Sequence, residues 1–146
     1  MKILTKYHGE IEVKEQAIWN FEKGIPGFPS EQQFVFLPLP ENEVFAVLQS
    51  VKTESLAFVI ASPFTFFHDY EFKVDDNTLE QLNLDNEADI LVYTILTVQN
   101  PFDQTTANLQ APLILNKKNH KAKQLILTET AYKTKHSISA VKASKG

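Results

Sequence analysis

Short runs of β-branched and aromatic residues, each ended by a turn signal, recur along most of the chain. Three of them, at 34–39, 43–50 and 56–62, are separated by stretches of a few polar residues or prolines. Runs of this length and spacing predict strands joined by turns. A helix is predicted only at 78–82, with Asn77 as its N-cap and Glu80 at the capping-box position. The pattern predicts an all-β fold with minor α content, either a small barrel or a sandwich.

Turn residues divide the rest of the chain into further elements. Alternation predicts an N-terminal hairpin over 2–7 and 10–14, a central strand over 88–99, and a last hairpin over 109–116 and 122–128. Residues 17–28 contain Gly24, Pro26 and Gly27, so they are interpreted as a structured loop or turn rather than a helix.

At 146 residues the chain has the size of one domain. We expect this domain to span 1–136 and residues 137–146 to form a disordered C-terminal tail. The sequence contains no cysteine and four glycines, which excludes disulfide scaffolds and thiol nucleophiles and disfavours glycine-rich phosphate loops. No apolar run approaches the roughly 18 residues of a membrane span. We therefore expect a soluble, cytoplasmic protein that does not contact membranes.

Charge is distributed unevenly along the chain. Residues 1–116 contain six lysines and 17 acidic residues, a net charge of −11, whereas residues 117–146 contain eight lysines and one acidic residue, a net charge of +7. The acidic body predicts attraction of a basic partner, although acidic residues on solvated strand faces and turns would give the same count. All basic residues are lysines. The lack of arginine argues against direct binding of nucleic acid.

No catalytic motif is present, so the chain is not expected to be an enzyme. The four histidines, which are His8, His68, His120 and His136, are far apart in the sequence, and we predict no metal site and no cofactor. His68 and Asp69 are interpreted as residues that cap a turn. Two other functions stay open: a small-molecule carrier with an aromatic-lined barrel interior, and a hydrolase that uses His68 with scattered carboxylates.

Aromatic residues offer the best candidates for a binding surface. Five of them fall within nine residues: Phe64, Phe66, Phe67, Tyr70 and Phe72. A strand over this segment would place Phe67 on the face opposite the other four. Exposed aromatics beside acidic residues are candidate partner anchors, although core filling is the competing interpretation. The candidates are Phe45 with Glu41 and Glu43, Phe67 with Asp69 and Tyr70, and Phe102 with Asp103.

Several longer motifs follow one another in a fixed order. They are Phe21-x-x-Gly24-Ile25-Pro26-Gly27-Phe28, Phe45-x-x-Leu48-Gln49-Ser50, Phe58-x-x-x-x-Pro63, Asp69-Tyr70, Thr106-Ala107-Asn108-Leu109-Gln110-Ala111-Pro112-Leu113-Ile114-Leu115-Asn116, and Gln124-x-Ile126-Leu127. Together they resemble the FliW family of flagellar assembly factors over residues 1 to about 133. We interpret the motif residues, including Pro112, as structural: Gly24, Pro26 and Gly27 shape a turn, Phe28 fills the core, and Asn108 satisfies backbone groups at the entry to the Leu109 strand.

The resemblance implies a cytoplasmic, small antiparallel β-barrel-like domain with one short helix and no enzymatic activity. It implies two protein partners. One is the RNA-binding translational repressor CsrA, whose repression of flagellin synthesis would be relieved, and the other is newly made flagellin. Exchange between the two would couple flagellin translation to flagellum assembly. We expect a protein that is monomeric when free and that binds no nucleic acid itself.

Overall fold

The computed structural model describes residues 1–39, 42–128 and 130–138. These residues form eleven strands and one α-helix, α1 (Asp76–Gln81). The strands are β1 (Lys2–Leu4), β2 (Glu10–Glu12), β3 (Ile18–Phe21), β4 (Gln33–Leu39), β5 (Asn42–Ser50), β6 (Ala57–Ala61), β7 (Ile90–Thr97), β8 (Thr106–Ala107), β9 (Leu113–Asn116), β10 (Lys121–Gln124) and β11 (His136–Ser137). Short 3₁₀ turns lie at Glu15–Ala17, Pro63–Thr65, Glu87–Asp89 and Phe102–Gln104.

Seven of the strands close into a barrel. The order around it is β3, β4, β5, β6, β7, β9 and β10, and β10 then pairs with β3. All of these contacts are antiparallel except the last, in which Lys121 lies opposite Asn20 and Ala122 opposite Phe21 in parallel register. The small, mostly antiparallel barrel with one short helix is thus confirmed.

Large apolar side chains fill the barrel interior. Phe34, Leu48, Ile60 and Leu115 come from four different strands, are fully buried, and belong to one cluster. Alternation along each strand sends these residues inward and their neighbours outward. Trp19 joins the cluster, and its indole stacks on the His120 imidazole with the ring centroids 4.0 Å apart and the planes nearly parallel.

Three further apolar clusters, which we call the first, second and third covers, lie on the outer face of the barrel. The first lies under the β1–β2 hairpin, the second under α1, and the third under residues 63–72 together with 132–138. Their buried members are Ile3, Val13, Ile18 and Val35 in the first, Leu82, Leu84, Ile114, Leu125 and Leu127 in the second, and Ala61, Tyr70, Leu96, Ala107, Leu109 and Ile138 in the third. The barrel strands therefore bury side chains on both of their faces.

The C-terminal segment belongs to the third cover. Ser137 of β11 pairs with Thr106 of β8, and Ile138 is buried. Ordered structure thus continues two residues beyond the boundary at 136 expected from the sequence. Residues 139–146, the rest of the expected tail, lie outside the described residues.

The structure differs from the sequence interpretation in two segments. Ile18–Phe21 is strand β3 rather than part of a loop, because Trp19 and Phe21 face the interior while Trp19 pairs with Phe34. The turn signals at Gly24 and beyond act only after this strand ends. The aromatic segment 64–72 is not a strand, since it begins in the 3₁₀ turn Pro63–Thr65 and continues through turns.

The helix begins earlier than predicted. Its N-cap is Asp75 rather than Asn77, and the Asp75 carboxylate accepts a hydrogen bond from the Thr78 backbone N–H at 3.0 Å. Hydrogen bonding from the Thr78 side chain, and to a smaller extent from its backbone N–H, holds the pKa of the Asp75 carboxyl below its usual range. Asn77 lies inside the first turn of the helix.

We expect Asp75→Ala to lower the free energy of unfolding by about 1 kcal/mol, since the cap hydrogen bond is lost. Asn77→Ala is the matched control and should leave stability unchanged or slightly higher, because alanine is the better helix former. Urea unfolding followed by circular dichroism measures both variants. Equal losses in the two would contradict the assignment of Asp75 as the cap.

Candidate protein-binding surface

Three aromatic residues that are distant in sequence meet on the outer face of the barrel. The Phe45 ring lies 5.5 Å from the Phe102 ring and 5.9 Å from the Phe66 ring, measured between centroids, and Phe67 follows at 6.5 Å from Phe66. We call these four residues the aromatic row. Phe102 is the most exposed, at 48%, and the other three are half-buried.

Three separate elements position the aromatic row. Phe45 lies on β5 opposite Ala61 of β6, whose small side chain leaves room for a ring above the sheet. Phe66 ends the 3₁₀ turn Pro63–Thr65, where its N–H donates to the Pro63 carbonyl. Phe102 begins the 3₁₀ turn Phe102–Gln104. The row therefore depends on the barrel surface and on two loops.

Phe45, Phe67 and Phe102 are the three phenylalanines among the predicted anchors, and the structure brings them together. The expectation that Tyr70 is an exposed anchor is wrong. Tyr70 is only 4% exposed, and its hydroxyl donates to the Leu109 carbonyl at 2.7 Å. Burial raises the pKa of Tyr70, and the neighbouring Tyr132 adds to this effect. Tyr70 thus anchors the third cover to the barrel.

The predicted acidic partners are placed less completely. Asp69 and Asp103 are exposed beside Phe67 and Phe102 in the sequence. Glu41 lies outside the described residues, and Glu43 is placed only through the backbone of β5.

The Gly24–Phe28 motif forms a tight turn at the end of β3. Gly24 has φ +71°, and a Cβ there would lie 2.6 Å from the Pro29 carbonyl oxygen, so only glycine fits without rearrangement. Pro26 and Gly27 lie at the exposed tip, between residues 25 and 28, which bridge the turn. The expectation that Phe28 fills the core is wrong: it is 42% exposed and packs on Phe58 at the barrel rim, whereas Ile25 is buried.

A second motif fixes the loop before β9. The Asn108 carboxamide oxygen accepts hydrogen bonds from the Gln110 and Ala111 backbone N–H groups, both at 3.1 Å. Pro112 is buried, and its carbonyl accepts from the Leu125 N–H at 2.9 Å. These contacts agree with a structural role for Asn108 and Pro112.

A buried polar network lies at the end of β5, where sequence reasoning assigned no function. The carboxylate of Glu31, only 8% exposed, accepts hydrogen bonds from the hydroxyls of Ser50 and Thr53. The donors Ser50 and Thr53 hold the pKa of Glu31 below its usual range. Gln49 is fully buried and accepts from the Lys6 N–H at 2.9 Å. The network ties the first hairpin and the loop after β5 to the barrel.

The C-terminal segment extends the aromatic row. The His136 ring lies 6.0 Å from Phe67, and its Nε2 accepts from the Lys133 N–H at 2.8 Å. Tyr132 packs edge-on against Tyr70 with centroids 4.7 Å apart. Burial lowers the pKa of His136, and the charge of Lys133 adds to the effect. No local pattern predicts that residues 132–136 return to this surface.

No three histidine, aspartate or glutamate side chains within 1–39, 42–128 and 130–138 lie close enough together to hold a metal ion. In the same part of the chain no helix is long and apolar enough to cross a membrane.

These features define a class of protein: a small seven-stranded β-barrel whose interior is filled by apolar side chains and whose candidate binding residues lie on its outer surface. A model of the FliW protein family matches residues 2–138. The flagellar assembly factors FliW of Geobacillus kaustophilus and Bacillus subtilis are 56% and 54% identical to this chain, covering 99% and 94% of it and 100% and 96% of their own lengths. A crystal structure of the flagellar assembly factor FliW superposes with a TM-score of 0.91 at 55% identity, covering 94% of this chain and 96% of that one. The chain belongs to the FliW family.

Replacement of Ser50 tests the buried network. Ser50→Ala removes a donor to Glu31 and the acceptor for the Lys52 and Thr53 N–H groups. We expect the free energy of unfolding to fall by about 1–3 kcal/mol, because a buried carboxylate loses a partner. Ser55→Ala, at an exposed position in the neighbouring turn, is the control and should change little.

The same variant predicts a change in pH dependence. Because the folded-state pKa of Glu31 is lowered, its contribution is present above the ordinary glutamate pKa of about 4.3 and is lost as the pH falls through the folded value. Unfolding curves between neutral and acidic pH should show that the advantage of the wild type over Ser50→Ala narrows in acid, leaving the part contributed by the Lys52 and Thr53 N–H groups. A constant difference would contradict this account.

Proposed function

We propose that this protein is a flagellar assembly factor that acts by binding other proteins and has no enzymatic activity. It binds the translational repressor CsrA and relieves repression of flagellin synthesis, and it also binds flagellin, so that free flagellin returns CsrA to its repressing state. The observation that carries this proposal is the likeness to proteins named flagellar assembly factor FliW over nearly the whole chain.

Charge supports a basic protein partner rather than nucleic acid. Residues 1–116 carry a net charge of −11, and the chain contains no arginine. An RNA-binding repressor needs a basic surface, which the acidic barrel attracts over about one Debye length of 8–10 Å. The protein would thus oppose the repressor by binding directly to it and not to RNA. It would act in the cytoplasm, and it would be a monomer when no partner is bound.

The aromatic row is the part of the surface best suited to a stable contact. It combines an exposed ring, Phe102, with three half-buried rings that are held in place by the barrel. Aromatic side chains that are already ordered lose little entropy on binding and are frequent energetic centres of interfaces.

The filled barrel interior argues against the carrier function. Phe21, Phe34 and Leu113 are fully buried within it, next to Leu48 and Ile60. A lipocalin-like carrier would hold its ligand in this space. The chemistry available to partners therefore lies on the outside of the barrel.

The function is tested by co-elution of the purified proteins. We expect this protein and CsrA to elute together on size-exclusion chromatography, and added flagellin to displace CsrA into a separate peak. The reason is that the proposed binding of the two partners is mutually exclusive. If neither CsrA nor flagellin shifts the elution of the protein, the proposed function is wrong.

Single alanine substitutions test the aromatic row. We expect Phe102→Ala, Phe45→Ala or Phe67→Ala to weaken the affinity for CsrA or flagellin by about tenfold or more, as at a binding hot spot. Ile126→Ala is the control, since Ile126 is similarly exposed, at 51%, but does not belong to the row. Isothermal titration on variants with unchanged circular dichroism gives the affinities. Unchanged affinities in all three would exclude the row as the interface.

A further inference from the structure

Negative charge is concentrated in the segment that carries α1. Residues 71–89 contain seven of the 18 acidic residues and one of the 14 lysines, a net charge of −6. The other 127 residues, with 11 acidic residues and 13 lysines, carry a net charge of +2. Negative charge is therefore densest in this segment.

The same segment forms an apolar groove. Its volume is about 690 Å³, and it lies between α1, the residues before the helix and the start of β7. The half-buried side chains of Val74, Leu79 and Ile90 line it, and the exposed carboxylates of Asp76, Asp85 and Glu87 stand at its edge. We call this feature the α1 groove. Below it, Leu82 and Leu84 pack with Ile114 in the second cover, so the groove has a fixed base.

The carboxylates at the edge are not neutralised within the described chain. Among residues 1–39, 42–128 and 130–138, the one ion pair within 4.0 Å joins the N-terminal amine to Glu12, at 3.8 Å. Lys73 is the one basic residue among those that line the groove. An apolar floor beside unpaired carboxylates favours a ligand with apolar side chains flanked by positive charges.

We propose that the α1 groove docks a basic amphipathic helix of a partner protein. A helix offers a stripe of apolar side chains at i, i+3, i+4 and i+7 and can carry lysine or arginine along both sides of it. The stripe would cover Val74, Leu79 and Ile90, and the flanking cations would face Asp76, Asp85 and Glu87. The inference extends the proposed function, because it gives a protein partner a site separate from the aromatic row.

The groove and the aromatic row are linked through packed rings. Phe72, which lines the groove, lies 5.3 Å from Tyr70, and Tyr70 contacts Tyr132, which in turn faces His136 beside Phe67. Phe72 therefore connects the groove to the cover that supports the row. This arrangement gives two partners distinct but adjoining surfaces.

The direct test uses a fluorescent peptide of about 15 residues, or about four helical turns, patterned from leucine and lysine. Binding is followed by fluorescence anisotropy at low and moderate salt. Asp85→Lys/Glu87→Lys reverses the edge charges, and Leu79→Gln makes the floor polar while keeping a good helix former. The control, Glu10→Lys/Glu15→Lys, changes the net charge by the same amount at exposed positions far from the groove in the sequence.

We expect the wild type and the control to bind the peptide with affinities within about threefold of each other, and both groove variants to bind about tenfold or more weakly. A peptide with glutamate in place of lysine should not bind. Added salt should weaken wild-type binding more than that of the edge variant. Equal binding by wild type and groove variants, or an equal loss in the control, would overturn the proposal.

Purified CsrA separates this inference from the proposed function. One outcome is that the wild type, the groove variants and the control all bind CsrA equally well, and that the groove variants also bind the peptide as well as the wild type does. In that case the groove proposal fails and the proposed function stands. If the peptide requires the groove but CsrA does not bind the wild type, the groove stands and the CsrA partnership fails. Loss of both CsrA and peptide in the groove variants alone supports both.

Discussion

Closure of the barrel depends on a short parallel contact between β3 and β10. Only two residue pairs form it, Lys121 with Asn20 and Ala122 with Phe21. His120 reinforces it: its carbonyl accepts from the Asn20 N–H at 2.8 Å, its Nδ1 lies 3.3 Å from the Ile18 carbonyl oxygen, and its ring stacks on Trp19. Without this contact β3 and β10 would be open edges, which invite pairing with other chains. The interior core and all three covers presuppose the closed form.

The covers follow from the composition of the strands. A small barrel needs apolar side chains on its inner face alone, but β4 carries Val35 outward as well as Phe34 inward. The hairpin, α1 and the segments 63–72 and 132–138 shield this second apolar face. Where one cover meets the barrel or another cover, aromatic side chains and apolar grooves remain partly exposed to solvent. The aromatic row and the α1 groove are two such places, which explains why binding chemistry lies on the outside.

The sequence predicted the parts of this structure that depend on local patterns. Alternation located β4, β5 and β7, and the capping pattern located the helix to within two residues. It missed β3, because Gly24 and Pro26 dominate the local pattern while the reason for a strand lies in β4 and in β10, about 100 residues later. The expectation that Tyr70 is exposed was wrong for a similar reason: its burial depends on the distant Leu109 carbonyl, which accepts a hydrogen bond from its hydroxyl. Phe45 and Phe102 were each predicted as candidate binding residues, but the contact between them depends on the tertiary fold.

The stack of Trp19 on His120 has a practical consequence for anyone who works with the molecule. Trp19 is the sole tryptophan of the chain, and it is buried at the seam where the circle of strands is completed. The fluorescence emission of Trp19 therefore reports, from a single site, whether β3 and β10 are paired. Rupture at β3 and β10 would expose the indole to water and remove the imidazole from its face, so partial opening can be told apart from changes in the covering loops.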